Sequence, residues 1–161
     1  MYADLAQLIV NSPRILRIRL GTRYAPVLGM GVRRYQDLIA WQMAEAFKSE
    51  VFKLVLGSRG ASADLRDRSQ LLAAAQSVTA NIAEGFLRNS PAEFRRFLGI
   101  GLGSLGEAED RLRDGILLGD FAPENCEEAF RFARRCAMAC VRLREAQLAF
   151  IAPKPRKPPR T

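Results

Sequence analysis

Gly101, Gly103 and Gly106 are spaced G-x-G-x-x-G inside the stretch GIGLGSLGEAE, residues 99–109. That spacing binds phosphate where a strand ends in a tight turn and a helix N-terminus meets a pyrophosphate. Just beyond stand Glu107, Glu109, Asp110 and Asp114. Carboxylates that are paired and buried can do acid–base work. Cys136 and Cys140 lie four residues apart, and with further ligands two thiolates could hold a metal. Arg131, Arg135 and Arg142 recur at i, i+4 and i+11, with Arg134 beside them, and Arg95 and Arg96 precede the glycines. Guanidinium groups suit bidentate phosphate contact.

Most of these chemistries fail on context. The glycines fall inside a helical pattern that begins at Ser90, with no strand before it, so a dinucleotide loop is not expected. There is no Walker A motif, and no G-x-S-x-G elbow surrounds Ser104. The 161 residues include no histidine, which removes the commonest general base and any Ser-His or Cys-His pair. Glu107 can reach Arg111, and the acidic cluster reads as a solvated face. Cys136 and Cys140 read as small core residues. Three cysteines without a CxxC suggest no disulfide framework or zinc knuckle, and a reduced cytoplasmic compartment. No catalytic residue, metal or cofactor is expected, so the chain reads as a non-enzyme.

The arginines survive this filter. The net charge is +8, which favours a polyanionic partner. The excess sits at the ends. Residues 1–34 hold six arginines against Asp4, and residues 152–161 hold Lys154, Arg156, Lys157 and Arg160, leaving the centre near neutral. The longest uncharged run, 69–83, is 15 residues and partly polar. A membrane-spanning helix needs about 20 mostly apolar residues, so none is expected.

The elements that would position these groups are helices. The first runs from about Tyr35 to Leu56 on the stripe Ala40, Met43, Phe47, Val51 and Leu54. The second runs from near Ser62 to Arg88 on Leu71, Ala75, Val78, Ile82 and Phe86. The third has Ser90 as N-cap, Pro91 at the first position and Glu93 completing a capping box, and stops near Gly119. The fourth follows Pro123, with glutamates in its first turn. It carries two apolar stripes: Phe132, Cys136, Ala139, Leu143, Ala146 and Phe150, and Cys126, Phe130, Ala133, Ala137 and Cys140. Two stripes exceed what one internal core requires, so one is expected to face a partner subunit. Short connections favour an antiparallel up-down four-helix bundle over 35–151. Residues 1–34 read as a basic, poorly ordered extension, with Met30 as an alternative start. Residues 152–161 read as a disordered basic tail.

Glycines inside a helix cost about 1 kcal/mol each against alanine, so several on one face need a reason. Gly99, Gly103 and Gly106 share a face at i, i+4 and i+7. The turn between Arg88 and Pro91 pairs helices two and three so that facing residue numbers sum to about 180. That sets Asn81 across from Gly99 and Ser77 from Gly103. Ser77, Asn81, Glu84 and Arg88 form a polar stripe, read as a hydrogen-bonded seam that fixes register.

These residues also carry a resemblance. The stretch SVTANIAEGFLRNSPAEFRRFLGIGLGSLGEAED, with Ser77, Asn81, Glu84, Gly85, Arg88, Gly103 and Ser104, resembles the signature of the four-helix proteins encoded by intervening sequences in bacterial 23S ribosomal RNA genes. YQDLIAWQMA, from Tyr35, fits the family's start, and the likeness covers about 35–151. Gly99 joins the signature by the packing argument. Relatives include the accessory variability proteins of diversity-generating retroelements. The resemblance implies a cytoplasmic bacterial bundle, a ring-shaped pentamer, and, in the retroelement branch, partners in nucleic acid and a reverse transcriptase. Leu72 and Ala73 stand where the family usually carries basic residues, and Thr79 replaces a usual proline. The sequence therefore suggests a homo-oligomeric adaptor that binds RNA or DNA through Arg95, Arg96, Arg131, Arg134, Arg135 and Arg142. The alternative is an oligomeric protein-interaction scaffold with no nucleic-acid role.

Overall fold

The computed structural model describes residues 32–57 and 65–151. The expected extension up to residue 31, with the alternative start at Met30, lies outside the described residues. So do the tail 152–161 and the expected start of the second helix at Ser62. The described part is all-α: a 3-10 turn at Tyr35–Asp37 and four helices, α1 (Ile39–Gly57), α2 (Leu65–Leu87), α3 (Pro91–Leu117) and α4 (Pro123–Ile151). No strand occurs among the described residues.

The first helix starts later than its pattern suggests. Leu38 interrupts it with an extended backbone (φ −75°, ψ 127°). That conformation turns the Leu38 side chain into the core, where it is 3% exposed. Its carbonyl then accepts the first α1 bond from Gln42 N at 3.0 Å.

The two other connections among the described residues follow local chemistry. Asn89 takes the left-handed conformation (φ 59°), which asparagine tolerates better than most residues. Ser90 caps α3 with an extended backbone, and Pro91 occupies its first position. At the other end Gly119 has φ 80°. Its N–H donates to Ile116 O at 3.1 Å, and Asp120 N–H donates to Gly115 O at 2.8 Å, the paired bonds of a Schellman stop. Phe121 then folds back onto Gly115. A Cβ at Gly115 would lie 2.5 Å from the Phe121 ring, so the glycine is what lets Phe121 close that end of the core.

Each helix packs against two others: α1 on α2 and α4, and α3 on α2 and α4, with no close backbone approach between α1 and α3 or α2 and α4 among the described residues. The stripes meet at the centre. Phe47, Val51, Leu71, Val78, Ile82, Phe94, Leu98, Leu105, Leu112, Cys126 and Cys136 are all fully buried. Having two neighbours also accounts for α4's doubled stripe. Cys126, Ala133, Cys136, Ala139, Cys140 and Leu143 are buried, and Phe130, Phe132 and Ala137 pack against the same core. The large apolar side chains that α4 leaves exposed are Met138, Val141, Leu148, Phe150 and Ile151. Of these only Phe150 belongs to the expected stripes, so the surplus lies largely off both of them.

Candidate nucleic-acid interface

The glycine-rich stretch is helical throughout, so its backbone N–H groups are spent inside α3 and cannot cradle a phosphate. The expected α2–α3 register holds. Ser77 Oγ and Ser104 Oγ are 2.9 Å apart, a Cβ at Gly101 would lie 3.6 Å from Asn81 Cβ, and Gly85 faces Phe94 and Phe97. The numbers in these pairs sum to 179–182. The rotation of α3 about its axis differs from the expectation. Gly101 packs beside Asn81, Val78 and Ile82, whereas Gly103 and Gly106 face open space and Gly99 faces Arg144 on α4. The stripe against α2 is Phe97, Gly101 and Ser104, itself spaced i, i+4 and i+7. Gly99 and Gly103 are therefore not the close-packing positions.

The polar seam forms around Ser77. Asn81 Nδ2 donates to Ser77 O at 2.7 Å and to Ser77 Oγ at 3.0 Å. Thr79 is buried and donates to Gln76 O at 2.9 Å. One turn further, Arg88 donates to Glu84 Oε1 at 2.5 Å. That bond and the carboxylate charge push the Arg88 pKa up. Arg88 and Arg96 both stack on Phe97, at 5.4 and 4.8 Å from its ring centre. Ser77, Asn81, Glu84, Arg88 and Ser104 thus each have a local partner, and their contacts accompany the packing of α2 on α3.

The arginines divide into paired and unpaired. Arg96 lies 3.5 Å from Glu93, Arg111 lies 3.0 Å from Glu107 and Arg113 lies 3.8 Å from Glu109. Arg131 pairs with Glu128 and stacks on Phe132 at 5.2 Å. Arg95, Arg134, Arg135 and Arg142 have no carboxylate within 4.0 Å among the described residues. Arg134, Arg135 and Arg142 are exposed and Arg95 is half-buried.

The six arginines do not form one patch. Arg113 stacks on Phe130 at 5.3 Å, and Gly99 faces Arg144, so α3 and α4 meet with their residue orders opposed. Arg131 and Arg134 consequently share an open groove with Arg113, Leu117, Glu127 and Phe130. Arg95 and Arg96 instead face the far half of α4, about 20 Å away at 1.5 Å per residue. Sequence reasoning missed Arg144. The available signal was its seven-residue spacing from Phe130 and Ala137, which puts it on the α3-facing edge of α4.

The cysteines lie inside the core. Cys126, Cys136 and Cys140 are free and buried. Cys136 Sγ donates to Ala40 O at 3.6 Å and lies 4.0 Å from Cys140 Sγ. The contact with Cys140, then burial, pushes the Cys136 thiol pKa far up. No cluster of three or more histidine, cysteine or acidic residues able to hold a metal occurs among the described residues. No described helix is long and apolar enough to cross a membrane.

The arrangement defines a class first: an all-α, four-helix protein in which Ser77 of α2 meets Ser104 of α3 and several arginines of α3 and α4 stand without a carboxylate partner among the described residues. The chain belongs to the 23S rRNA-intervening sequence protein family, whose model matches residues 36–138. No curated protein matches it.

Proposed function

We propose that this chain is a non-enzymatic adaptor of antiparallel up-down helices that assembles with copies of itself and binds the backbone of RNA or DNA. The observation that carries the reading is the set of arginines on α3 and α4 without carboxylate partners, on a chain of net charge +8. Arg96, Arg111, Arg113 and Arg131 each pair with a carboxylate three or four residues away on their own helix, whereas Arg95, Arg134, Arg135 and Arg142 pair with none among the described residues. The opposed residue orders at Ser77–Ser104 and at Gly99–Arg144 support the antiparallel arrangement. Assembly is supported by Met138, Val141 and Leu148, which stand exposed on one face of α4. Five subunits and a cytoplasmic location are taken from the resemblance to the family, and a reverse-transcriptase-like partner from its retroelement branch. Light scattering combined with titration of a labelled RNA at low salt tests both halves of the proposal. A monomer mass at micromolar concentration removes the assembly. Absence of binding removes the nucleic-acid role and leaves the scaffold reading, which the exposed α4 face favours.

A further inference from the structure

We infer that Arg95, Gly99 and Arg144 form a niche on the α3–α4 groove that takes a backbone phosphate of single-stranded RNA. The inference rests on the nucleic-acid reading above and moves its centre away from Arg131 and Arg135. The Arg144 guanidinium lies over Gly99: its Cζ, Nη2 and Nε stand 3.8, 3.8 and 3.9 Å from where a Cβ of residue 99 would be. The missing side chain lets the guanidinium settle against α3. Arg95 is one helical turn before Gly99 on the same edge, and residues so spaced are neighbours, about 5–6 Å apart at Cβ.

Both arginines are half-buried, and each has its Nε buried without a hydrogen-bond partner. Neither has a carboxylate within reach among the described residues. Glu93, near Arg95 in sequence, is engaged by Arg96, and Glu145, beside Arg144, is exposed. Two partly desolvated like charges side by side are costly until an anion joins them. A phosphodiester presents two free oxygens and can accept from both forks at once. A near-neutral second copy of the bundle offers no such excess of negative charge. Arg68 also has buried, unpartnered nitrogens, but Asp67, Asp114 and Asp120 line its cleft and would repel an anion.

The test is a salt titration of the full chain against a labelled single-stranded RNA, comparing wild type, R95Q/R144Q and R95K/R144K. Losing a charge-assisted contact typically weakens binding about tenfold or more, and each single-strand phosphate contact contributes about 0.7 to the salt slope. The glutamine pair is expected to lose affinity at least tenfold, with a slope flatter by about 0.7. The lysine pair should keep the slope while losing affinity, because only the fork is removed. All three are expected to share one melting temperature and one mass. Unchanged affinity and slope in R95Q/R144Q, with wild type still binding, overturns the niche but not the nucleic-acid role. A lower assembly mass in the glutamine pair also overturns it, since the cations would then belong to a subunit contact. If wild type binds no RNA, inorganic phosphate decides. A melting-temperature rise over chloride at matched ionic strength, absent in R95Q/R144Q, retains the anion site, and no rise removes it.

Discussion

Gly85 of α2 lies directly beneath Phe97 of α3. A Cβ at residue 85 would stand 2.6 Å from the Phe97 Cβ and 3.0 Å from the Phe94 ring. Neither phenylalanine can yield, since Phe94 is fully buried and Phe97 is 7% exposed. Gly85→Ala should therefore force the helices apart. Overpacking of this kind costs about 1–3 kcal/mol, and for a chain of this size each kcal/mol lowers the melting temperature by about 2–4 °C. Thermal melts of the two proteins check it. Equal melting temperatures would mean that the contact is looser than it stands here.

Gly103 should behave in the opposite way. Nothing lies within 4 Å of a Cβ built there, so Gly103→Ala should stabilise the fold by up to about 1 kcal/mol through helix propensity. Gly101→Leu should destabilise, because Asn81 and Val78 stand at 3.6 Å. Urea midpoints for the two variants should move in opposite directions. A loss of stability in Gly103→Ala would show that another backbone covers this face in the assembled protein.

The hydroxyl pair Ser77–Ser104 joins α2 to α3 at 2.9 Å. A double-mutant cycle with Ser77→Ala and Ser104→Ala should give a coupling of about 0.5–1.5 kcal/mol, the usual net worth of one such bond. Additive effects within error would show that water replaces either hydroxyl without loss.

The buried thiols predict a pH dependence. Burial raises the Cys126 pKa, and contact with Cys140 together with burial raises that of Cys136. The native chain thus holds protons that the unfolded chain releases above the ordinary value of 9.0. Stability from this source is complete below about pH 9 and falls as pH rises beyond it. Urea midpoints measured between pH 8 and 10.5 should decline, and a Cys136→Ser/Cys126→Ser variant should decline less steeply. In native protein at pH 8 all three thiols should resist alkylation and should react once unfolded. Rapid labelling of the folded chain would contradict their burial.

The ends and the helices contribute separately to nucleic-acid binding. Residues 152–161 carry four cations. If they make the contacts, deleting them should flatten the salt slope on duplex DNA by up to about 3.6. If the helices bind, the deletion should matter little. Arg131→Glu with Arg135→Glu then tests the α4 patch against the Arg95–Arg144 niche. Salt titrations of the three proteins separate these cases.

What the sequence by itself determined here is local or set by short chain closure. Stripes of period 3.6, the Ser90–Pro91–Glu93 start and the Gly119 stop define helices because capping and amphipathicity act within one or two turns. The α2–α3 register was also legible, since only three residues separate the two helices and the chain cannot slip. The rotation of α3 was not legible. Successive helical residues differ by about 100°, so Gly99, Gly103 and Gly106 form as plausible a stripe as Phe97, Gly101 and Ser104. Only the wedge of Phe94 and Phe97 against Gly85, together with the Ser77–Ser104 bond, selects the second. The doubled stripe of α4 was ambiguous for a similar reason: how many neighbours a helix has is a property of the packed core, not of the helix. The facing of Arg144 and Gly99, 45 positions apart, depends on the return that Gly115 and Phe121 make at the far end of the core. No spacing along the chain encodes that return, because it arises from side chains meeting across helices.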